Sequence, residues 1–402
     1  MDFVAALGER IESRFRRENY DYRVFGRIAS QALREADIVA HVSDAELLAR
    51  VALDPHPLPG EAEFSDFAQT LYRGRYFFIE VLHWLSATTA IHQHSFSGAF
   101  CVLEGASLHT RFRYTPTRVI NAQLALGELG WQSSVYCPRG TVVEIEAGET
   151  FIHSLYHLVE PSVTFLVRTW QEEEHTPQYT YLPGGIRIPA RPLDGPKRVS
   201  LRALRILSHV DGARFEQIAL DLAREASLDT IGPLIDAVAT SAPDRRDALL
   251  AEIAATAHAR DAAFFDALLG ARKTQYRHNR LSDIRKRMTD PHARLMVAVL
   301  MNAPNRQAAI DCIRSALPGE DAVEFFVRQV RALCLPEPLL GFSCHESSWP
   351  MVEAVLRKQS LEQTIKTMKR TLGAREAARQ ADVIARNYHR ASAYEVLQPL
   401  VV

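Results

Sequence analysis

The sequence predicts a multidomain α+β protein in which an all-β domain is flanked by an N-terminal helical segment and a C-terminal all-α domain. The periodicity of apolar residues is helical at first, changes to short β-branched and aromatic runs near residue 71, and becomes helical again near residue 196. A chain of 402 residues is long enough for two or three such units. We therefore expect boundaries at 1–70, 71–195 and 196–402.

The first segment is predicted to be helical. Helix-forming residues dominate the stretch RVFGRIASQALREADIVAHV, and in SDAELLARVAL the residues Ser43 and Glu46 have the spacing of a capping box. The stretch DPHPLPGEAEFSDF is rich in proline and glycine, which predicts a connector rather than a further helix.

The middle segment is predicted to consist of short strands. Runs such as RYFFIEVLHWL, AFCVLEG and SVTFLVRTW are separated by glycine, proline and acidic residues. Several short strands with turn signals between them are typical of an all-β sandwich or barrel.

The last segment is predicted to be a compact helical bundle. Apolar residues share one face at helical spacing in two stretches, Phe215, Ile218 and Leu222 in the first and Ile231, Leu234, Ile235 and Val238 in the second. Its most basic stretch is KTQYRHNRLSDIRKR, from Lys273 to Arg287. This stretch could contact phosphate, or it could be a solvated helix face.

Composition and charge limit the partners that we expect. The formal net charge is −1, which gives no general attraction to nucleic acid or to acidic membranes. No apolar run reaches the roughly 18 residues of a membrane span, and the N-terminus lacks the apolar core of a signal peptide. The five cysteines include no CxxC pair. We expect a cytoplasmic protein that binds neither nucleic acid nor membranes and that forms a homodimer or binds a protein partner through its C-terminal helices.

A pair of histidines in the stretch TAIHQHSFSGAF is the first candidate site. Residues i and i+2 of a strand point to the same side, so His92 and His94 would project together. Neutral imidazole is a good ligand for iron, zinc, copper and nickel. The pattern therefore predicts a metal site, and two surface histidines are the alternative interpretation.

The surroundings of this pair resemble a known family. Gly105 follows in VLEG, and EAGETFIHSLYHLVEPSVTFLV then gives a glycine, a histidine and a Glu-Pro turn. This succession resembles the cupin superfamily, and RYFFIEVLHWLSATTAIHQH resembles its cysteine-dioxygenase-type thiol dioxygenases. The resemblance covers about Tyr72 to Trp170. It implies a double-stranded β-helix barrel that holds one non-haem Fe(II).

The resemblance also implies the ligands of the metal. His92 and His94 match the first two ligands of the family, and His153 matches the third because it follows Gly148. His157 is the alternative third ligand, since it has the same strand parity as His153.

Two positions depart from the wider cupin pattern. Gly98 and Ala99 stand where a glutamate ligand would be, so the implied site consists of three histidines. Gly98 also stands where some cysteine dioxygenases have a cross-linked cysteine. Cys101 has the opposite strand parity to Gly98, so we expect it to point out of the barrel and to form no thioether.

The substrate-binding residues are predicted on two strands. The positions that match the family's Ser-His-Tyr relay are Thr164, Leu166 and Arg168, so cysteine itself is in doubt as the substrate. We expect Arg168 to lie in the pocket and to bind an anionic group. The alternative is that it lies at the rim and pairs with a protein acid such as Glu144 or Glu146.

Arg73 and Arg75 are further candidates for binding a carboxylate. They match the strand region that carries the family's carboxylate-binding arginine. Two exposed arginines beside the start of a strand are the alternative interpretation.

The functional prediction is a mononuclear Fe(II) dioxygenase that oxidises a small thiol- or carboxylate-containing substrate with O2. Two alternatives follow from the same resemblance. One is a metal-binding cupin sensor or interaction protein without turnover, and the other is a metal-dependent cupin isomerase or lyase that needs no O2.

Overall fold

A computed structural model describes residues 2–53, 65–85, 89–170, 176–190, 195–241, 246–335, 340 and 344–402. The N-terminal segment contains four helices, α1 (Asp2–Arg17), α2 (Tyr22–Ala36), α3 (Ile38–His41) and α4 (Asp44–Leu53). The Ser43 hydroxyl accepts a hydrogen bond from the Glu46 backbone N–H at 3.4 Å, which is one half of the predicted capping box. The proline-rich connector lies outside the described residues.

Ten strands form two antiparallel sheets. Their bounds are β1 (Phe67–Arg73), β2 (Phe77–Trp84), β3 (Gly98–Glu104), β4 (Ala106–Val119), β5 (Ala125–Pro138), β6 (Val142–Ile145), β7 (Ile152–His157), β8 (Ser162–Thr169), β9 (Tyr179–Leu182) and β10 (Ile186–Pro189). The first sheet has the order β1-β2-β8-β3-β6 and the second has the order β7-β4-β5-β10-β9.

The two sheets pack face to face over an apolar interior. Side chains of the first sheet, such as Leu82, Phe100 and Leu166, share one cluster with Cys137 and Leu155 of the second. The prediction of an α+β chain is confirmed, and its strands form two antiparallel sheets. The described ladders form two sheets, and a closed barrel stays a prediction.

The outer face of the first sheet is covered by the N-terminal helices. Alternate residues of β2, Phe77, Ile79 and Val81, share a cluster with Phe15 of α1 and Phe25 of α2. Burial on both faces explains why β2 is apolar along nearly its whole length.

The C-terminal half is helical in every described stretch. Its helices are α5 (Gly195–Val210), α6 (Gly212–Glu225), α7 (Ile231–Ala239), α8 (Arg246–Arg260), α9 (Ala262–Arg285), α10 (Pro291–Asn302), α11 (Arg306–Ala316), α12 (Ala322–Cys334), α13 (Trp349–Leu356), α14 (Leu361–Leu372), α15 (Ala374–Arg379), α16 (Ala381–Ser392) and α17 (Gln398–Val401). Short side chains begin several of them, because a carboxylate or amide oxygen satisfies a free backbone N–H in the first turn, as at Asp211, Asp261, Asp290, Asn305 and Asp321.

These helices cover the outer face of the second sheet. Leu108, Tyr156 and Leu158 share one large cluster with residues of α9 to α13. The Glu160 carboxylate pairs with Arg294 at 3.0 Å and with Arg285 at 3.7 Å. The helical half and the sheet therefore share a core, and the division of the chain at residue 195 stays a prediction.

Among the described residues, no helix has both the length and the apolar character that crossing a membrane requires.

Candidate metal centre

The segment with the two histidines lies beside β7 and is fixed to it by backbone hydrogen bonds. His92 and His153 each donate their N–H to the other's carbonyl at 2.9 Å. The carbonyl of His94 accepts from the N–H of Gly148 at 2.8 Å. Gly148 has a φ of 86°, a conformation that favours glycine, and it precedes the short turn that leads into β7. This geometry brings residues far apart in sequence to one place.

Three imidazoles converge at this place. One potential ligand atom from each of His92, His94 and His153 lies within 4.8 Å of the others. The Nε2 atoms of His94 and His153 are 2.8 Å apart. The Nδ1 of His92 is 2.8 Å from the carbonyl oxygen of Ala90, which fixes a proton on that nitrogen and leaves Nε2 available for a metal.

Burial keeps these imidazoles in the form that binds metals. Desolvation lowers the pKa of His92 below its usual value. It lowers the pKa of His94 and His153 well below that value, and the neighbouring positive charges act in the same direction. Neutral imidazole is the ligand form, so the donor set fits a divalent transition metal.

A fourth histidine, His109, contacts the ring of His153 and was not predicted from the sequence. His109 lies on β4, and its Nε2 is 2.9 Å from Nδ1 of His153. Burial lowers the pKa of His109 to about 3, so its ring is neutral, and its Nε2 can accept a hydrogen bond from the Nδ1–H of His153. Strand alternation could have indicated an inward-facing His109, because Ser107 and His109 lie on the face of β4 opposite to the outward-facing Leu108.

His157, the alternative third ligand, lies in another environment. Its Nδ1 is 2.9 Å from the hydroxyl of Ser107, and its ring stacks on Trp84 with centroids 4.7 Å apart. The group of converging ligand atoms contains His153 and not His157. The geometry therefore favours His153.

Gly98, which matches the position of a glutamate ligand in the cupin pattern, has no room for a side chain. Gly98 pairs with Arg168 on β8 and with Ile145 on β6. A Cβ atom on Gly98 would lie 2.2 Å from the carbonyl oxygen of Val167. This close approach of two strands requires glycine and excludes a carboxylate or a cysteine at residue 98.

Cys101 faces away from the metal site. It belongs to the cluster between the first sheet and the N-terminal helices, which confirms the prediction from parity. Its thiol is free and buried, and burial raises its pKa to about 11. A protonated, enclosed thiol is unreactive.

Arg168 is buried beside the histidines, and its partner is a residue that the sequence analysis missed. Its Nε donates to a carboxylate oxygen of Glu80 at 2.8 Å, and the two side chains are 2% and 0% exposed. The guanidinium also lies 4.4 Å from the ring centroid of Phe78 and 4.6 Å from that of Phe96. Arg168 is thus inside the fold rather than at the rim, and its acid is neither Glu144 nor Glu146.

Glu80 could have been noticed as a single acid in an apolar strand. In FFIEVLHW, it shares its face with Leu82 and Trp84, which point into the interior. An acid on that face must be paired. What the sequence could not provide is the pairing of β2 with β8 that brings Arg168 to it.

The remaining predicted substrate residues are divided between two places. Thr164 is buried opposite Leu82, on the inward face of β8. Arg73 lies over the ring of Trp170 at 4.7 Å, and Arg75 lies over the ring of Tyr76 at 5.2 Å. The contacts described for the two arginines are thus with aromatic rings near the strand ends.

No protein-family model matches the sequence, and no curated protein matches it. Several solved structures are similar to part of the chain. A cupin protein from Desulfovibrio desulfuricans is 17% identical over 28% of this chain and 92% of its own, with a TM-score of 0.18. Hydroquinone 1,2-dioxygenase from Sphingomonas sp. TTNP3 is 11% identical over 27% of this chain and 68% of its own, with a TM-score of 0.22.

A third similar structure comes from work on the DMSP lyases RdDddP and RnDddQII. It is 16% identical over 35% of this chain and 64% of its own, with a TM-score of 0.20. The relationship to the cysteine-dioxygenase-type enzymes stays a prediction.

Proposed function

We propose that this protein is a cupin-type, non-haem Fe(II) dioxygenase that acts on a small thiol or carboxylate substrate with O2. The observation that supports the proposal most is the convergence of His92, His94 and His153 within 4.8 Å. The resemblance read from the sequence supplies the choice of iron and of dioxygenase chemistry. His153 is the third ligand in this proposal.

The donor set is suited to a metal that binds anions. Three neutral imidazoles neutralise none of the charge of a divalent ion, so the ion retains a strong preference for anionic ligands such as thiolate or carboxylate. Bound Fe(II) would supply a Lewis-acidic and redox-active centre with positions left for other ligands. Ala90 and His109 hold two of the three rings in the orientation that a metal requires.

The interior around the histidines is apolar and would exclude water. Phe96 lies against His94, with ring centroids 4.3 Å apart, and Phe151 lies against His153 at 4.6 Å. A dry environment strengthens every electrostatic interaction within it. It also protects reactive species from side reactions with water.

Arg168 is the residue that we propose to orient an anionic substrate. A guanidinium keeps its proton even when it is buried. Glu80 holds one edge of the Arg168 side chain, and the rings of Phe78 and Phe96 fix its plane. Its positive charge contributes to lowering the pKa of His94, which is consistent with a position near the metal. Thr164 shares the inward face and would provide a hydroxyl.

A small cavity next to His94 is the proposed entrance. It has a volume of about 300 Å³, and its lining includes Ser95, Phe96, Ser97, Ala147 and Thr150. Pockets for small molecules in proteins begin at about this size. We therefore expect a substrate of few atoms rather than a large one.

The test is metal analysis of protein purified without oxygen, followed by O2 consumption with a panel of small thiols and metabolite acids. The proposal predicts bound iron and substrate-dependent O2 uptake, both lost in His94→Ala. Turnover of a panel compound without O2 uptake would indicate an isomerase or lyase instead. Bound metal with no turnover of any compound would indicate a sensor.

A further inference from the structure

A second cleft lies along β7 and beside the segment Thr89 to Ile91 that leads into His92. It has a volume of about 790 Å³ and is formed between the outer face of the second sheet and helices α9 and α10. Along β7, Ser154, Leu155 and Tyr156 line this cleft, and so does Ala90, whose carbonyl contacts Nδ1 of His92. The cleft thus approaches the candidate metal centre, but none of the three converging histidines is in its lining.

Three residues that line this cleft have a buried polar atom without a hydrogen-bond partner among the described residues. The atoms are the hydroxyl oxygen of Tyr156, Nε of Arg277 and Nε2 of His278. Leaving such a group unpartnered costs about 1–3 kcal/mol, so native proteins usually satisfy it with water or a ligand. Three such atoms around one cleft indicate an occupant that is not part of the chain.

The chemistry of the three atoms indicates what the occupant offers. A tyrosine hydroxyl, the Nε–H of an arginine and a protonated imidazole nitrogen can all donate a hydrogen bond. Of the charged residues in the lining, Arg277 is half-buried, whereas the acid, Glu128, is exposed. Buried donors together with a positive charge favour oxygen acceptors that carry negative charge.

Other polar groups in the lining already have protein partners. The hydroxyl of Ser154 donates to the side-chain oxygen of Asn302 at 3.4 Å, and the Asn302 amide donates to the carbonyl of Ala298 at 2.8 Å. The Tyr181 hydroxyl donates to Gln93 at 2.5 Å. These polar side chains of the cleft wall are thus held in place by hydrogen bonds within the protein. The groups left without partners are those of Tyr156, Arg277 and His278.

This cleft also gives a role to the basic stretch from Lys273 to Arg287. Part of that stretch forms the end of α9, and one of its faces contributes Thr274, Gln275, Arg277, His278 and Ser282 to the lining. The stretch is therefore more than a solvated helix face.

We propose that the cleft binds a small anionic metabolite through phosphate or carboxylate oxygens, which accept hydrogen bonds from Tyr156, Arg277 and His278. The site does not depend on the proposed metal chemistry, because its contacts come from the opposite face of β7 and from α9. A volume of about 790 Å³ accommodates a molecule of the size of a sugar phosphate.

The experiment measures binding to the full chain by calorimetry and by the shift in melting temperature. The probes are inorganic phosphate, glucose 6-phosphate and citrate, with glucose as the neutral comparison. A ligand that binds only the folded state raises the melting temperature with its concentration. We expect at least one anionic probe to bind and glucose not to bind. Comparing the two phosphate compounds with citrate shows whether the cleft prefers phosphate or carboxylate oxygens.

Substitutions then locate the site. Tyr156→Phe removes only the hydroxyl, and Arg277→Lys keeps the charge but removes the Nε–H. Each should weaken binding of the anionic probe about tenfold or more, the loss typical of one hydrogen bond to a charged group. Tyr156→Phe should leave the stability of the unliganded protein unchanged or raise it, because its hydroxyl has no protein partner to lose.

Tyr114→Phe is the matched control. The Tyr114 hydroxyl donates to the carbonyls of Ala125 and Gly185, so this change should lower stability and leave binding unaltered. His94→Ala, which we expect to lack metal, should also bind the probe normally. Binding of no anionic probe, equal binding of glucose, or undiminished binding by both Tyr156→Phe and Arg277→Lys would overturn the proposal and would indicate a cleft that holds only water.

Discussion

The Nδ1 atom of His153 lies 2.9 Å from Nε2 of His109, on the neighbouring strand β4. If Nε2 of His153 binds a metal, its Nδ1 must carry a proton and donate a hydrogen bond to Nε2 of His109. His109 can accept this hydrogen bond only as a neutral ring, and burial, which lowers its pKa to about 3, keeps it neutral. The pair therefore fixes both the tautomer and the orientation of His153, the proposed third ligand.

From this relationship we predict that His109→Phe weakens metal binding about 10- to 100-fold, the usual effect of losing the partner of a ligand histidine. Phenylalanine fills the space but accepts no hydrogen bond. The affinity is measured by titrating metal-free protein with Fe(II) or Co(II). The comparison variant is His157→Phe, which loses only the hydrogen bond to Ser107 and should bind metal as the parent does. Equal affinities for the two variants would refute a supporting role of His109.

The ligands themselves give a second prediction. His92→Ala, His94→Ala and His153→Ala should each lose most of the bound metal, because two imidazoles hold a labile ion such as Fe(II) poorly. Metal content is measured by mass spectrometry on protein purified without oxygen. His157→Ala should retain the metal, since its ring stacks on Trp84 rather than facing the other three. An empty site in His157→Ala and a full one in His153→Ala would reverse the assignment of the third ligand.

Local sequence patterns anticipated part of this arrangement. Strand parity placed Cys101 on the outward face of β3, and it placed Leu166 with the interior cluster. These are properties of one strand. The partners of Arg168 and His153 depend on strand pairings over long sequence separations, 88 residues in the case of Glu80 and Arg168. No local pattern contains such a pairing, so the sequence could not assign Glu80 to Arg168 or His109 to His153.

The interior ion pair gives a third prediction. Glu80→Gln leaves the buried guanidinium of Arg168 without its carboxylate and should cost about 3–5 kcal/mol of unfolding free energy. The double variant Glu80→Leu/Arg168→Met replaces both charges by apolar groups of similar size and should recover most of this loss. Urea denaturation of the parent, Glu80→Leu, Arg168→Met and the double variant measures the coupling. A double variant whose loss equals the sum of the single losses would show that the two side chains act independently.

A fourth prediction concerns the contact between the second sheet and the helices. Glu160 follows β7 and faces Arg285 and Arg294, which are buried, and Arg285 also donates to the carbonyl of His157. Glu160→Gln should therefore lower the unfolding free energy by about 3 kcal/mol, because two buried cations lose their carboxylate. The control is Glu346→Gln, whose partner Arg331 is exposed, with an expected loss of no more than about 1 kcal/mol. Similar losses in the two variants would mean that Glu160 does not join the sheet to the helices.

His157 gives a prediction about acid. Burial lowers the pKa of His157 to about 3, and the charge of Arg285 acts in the same direction. An unfolded histidine has a pKa of about 6.5, so between pH 6.5 and 3 the unfolded chain binds a proton at this residue that the folded protein does not. The stabilisation from a neutral His157 is thus complete above about pH 6.5 and is lost as the pH falls, by up to about 1.4 kcal/mol per pH unit.

The measurement compares the parent with His157→Gln, both free of metal, by urea denaturation at pH 7.5 and pH 5.0. Glutamine has no proton to gain, so the acid-dependent loss that comes from residue 157 is confined to the parent. The stability difference between the two should therefore shift by about 2 kcal/mol in favour of the variant at pH 5.0. His389→Gln, which removes an exposed histidine, is measured at both pH values as the comparison variant. A difference for His157→Gln that is independent of pH would mean that His157 is accessible to protons in the folded protein, and that its place between Trp84 and Ser107 is not closed to water.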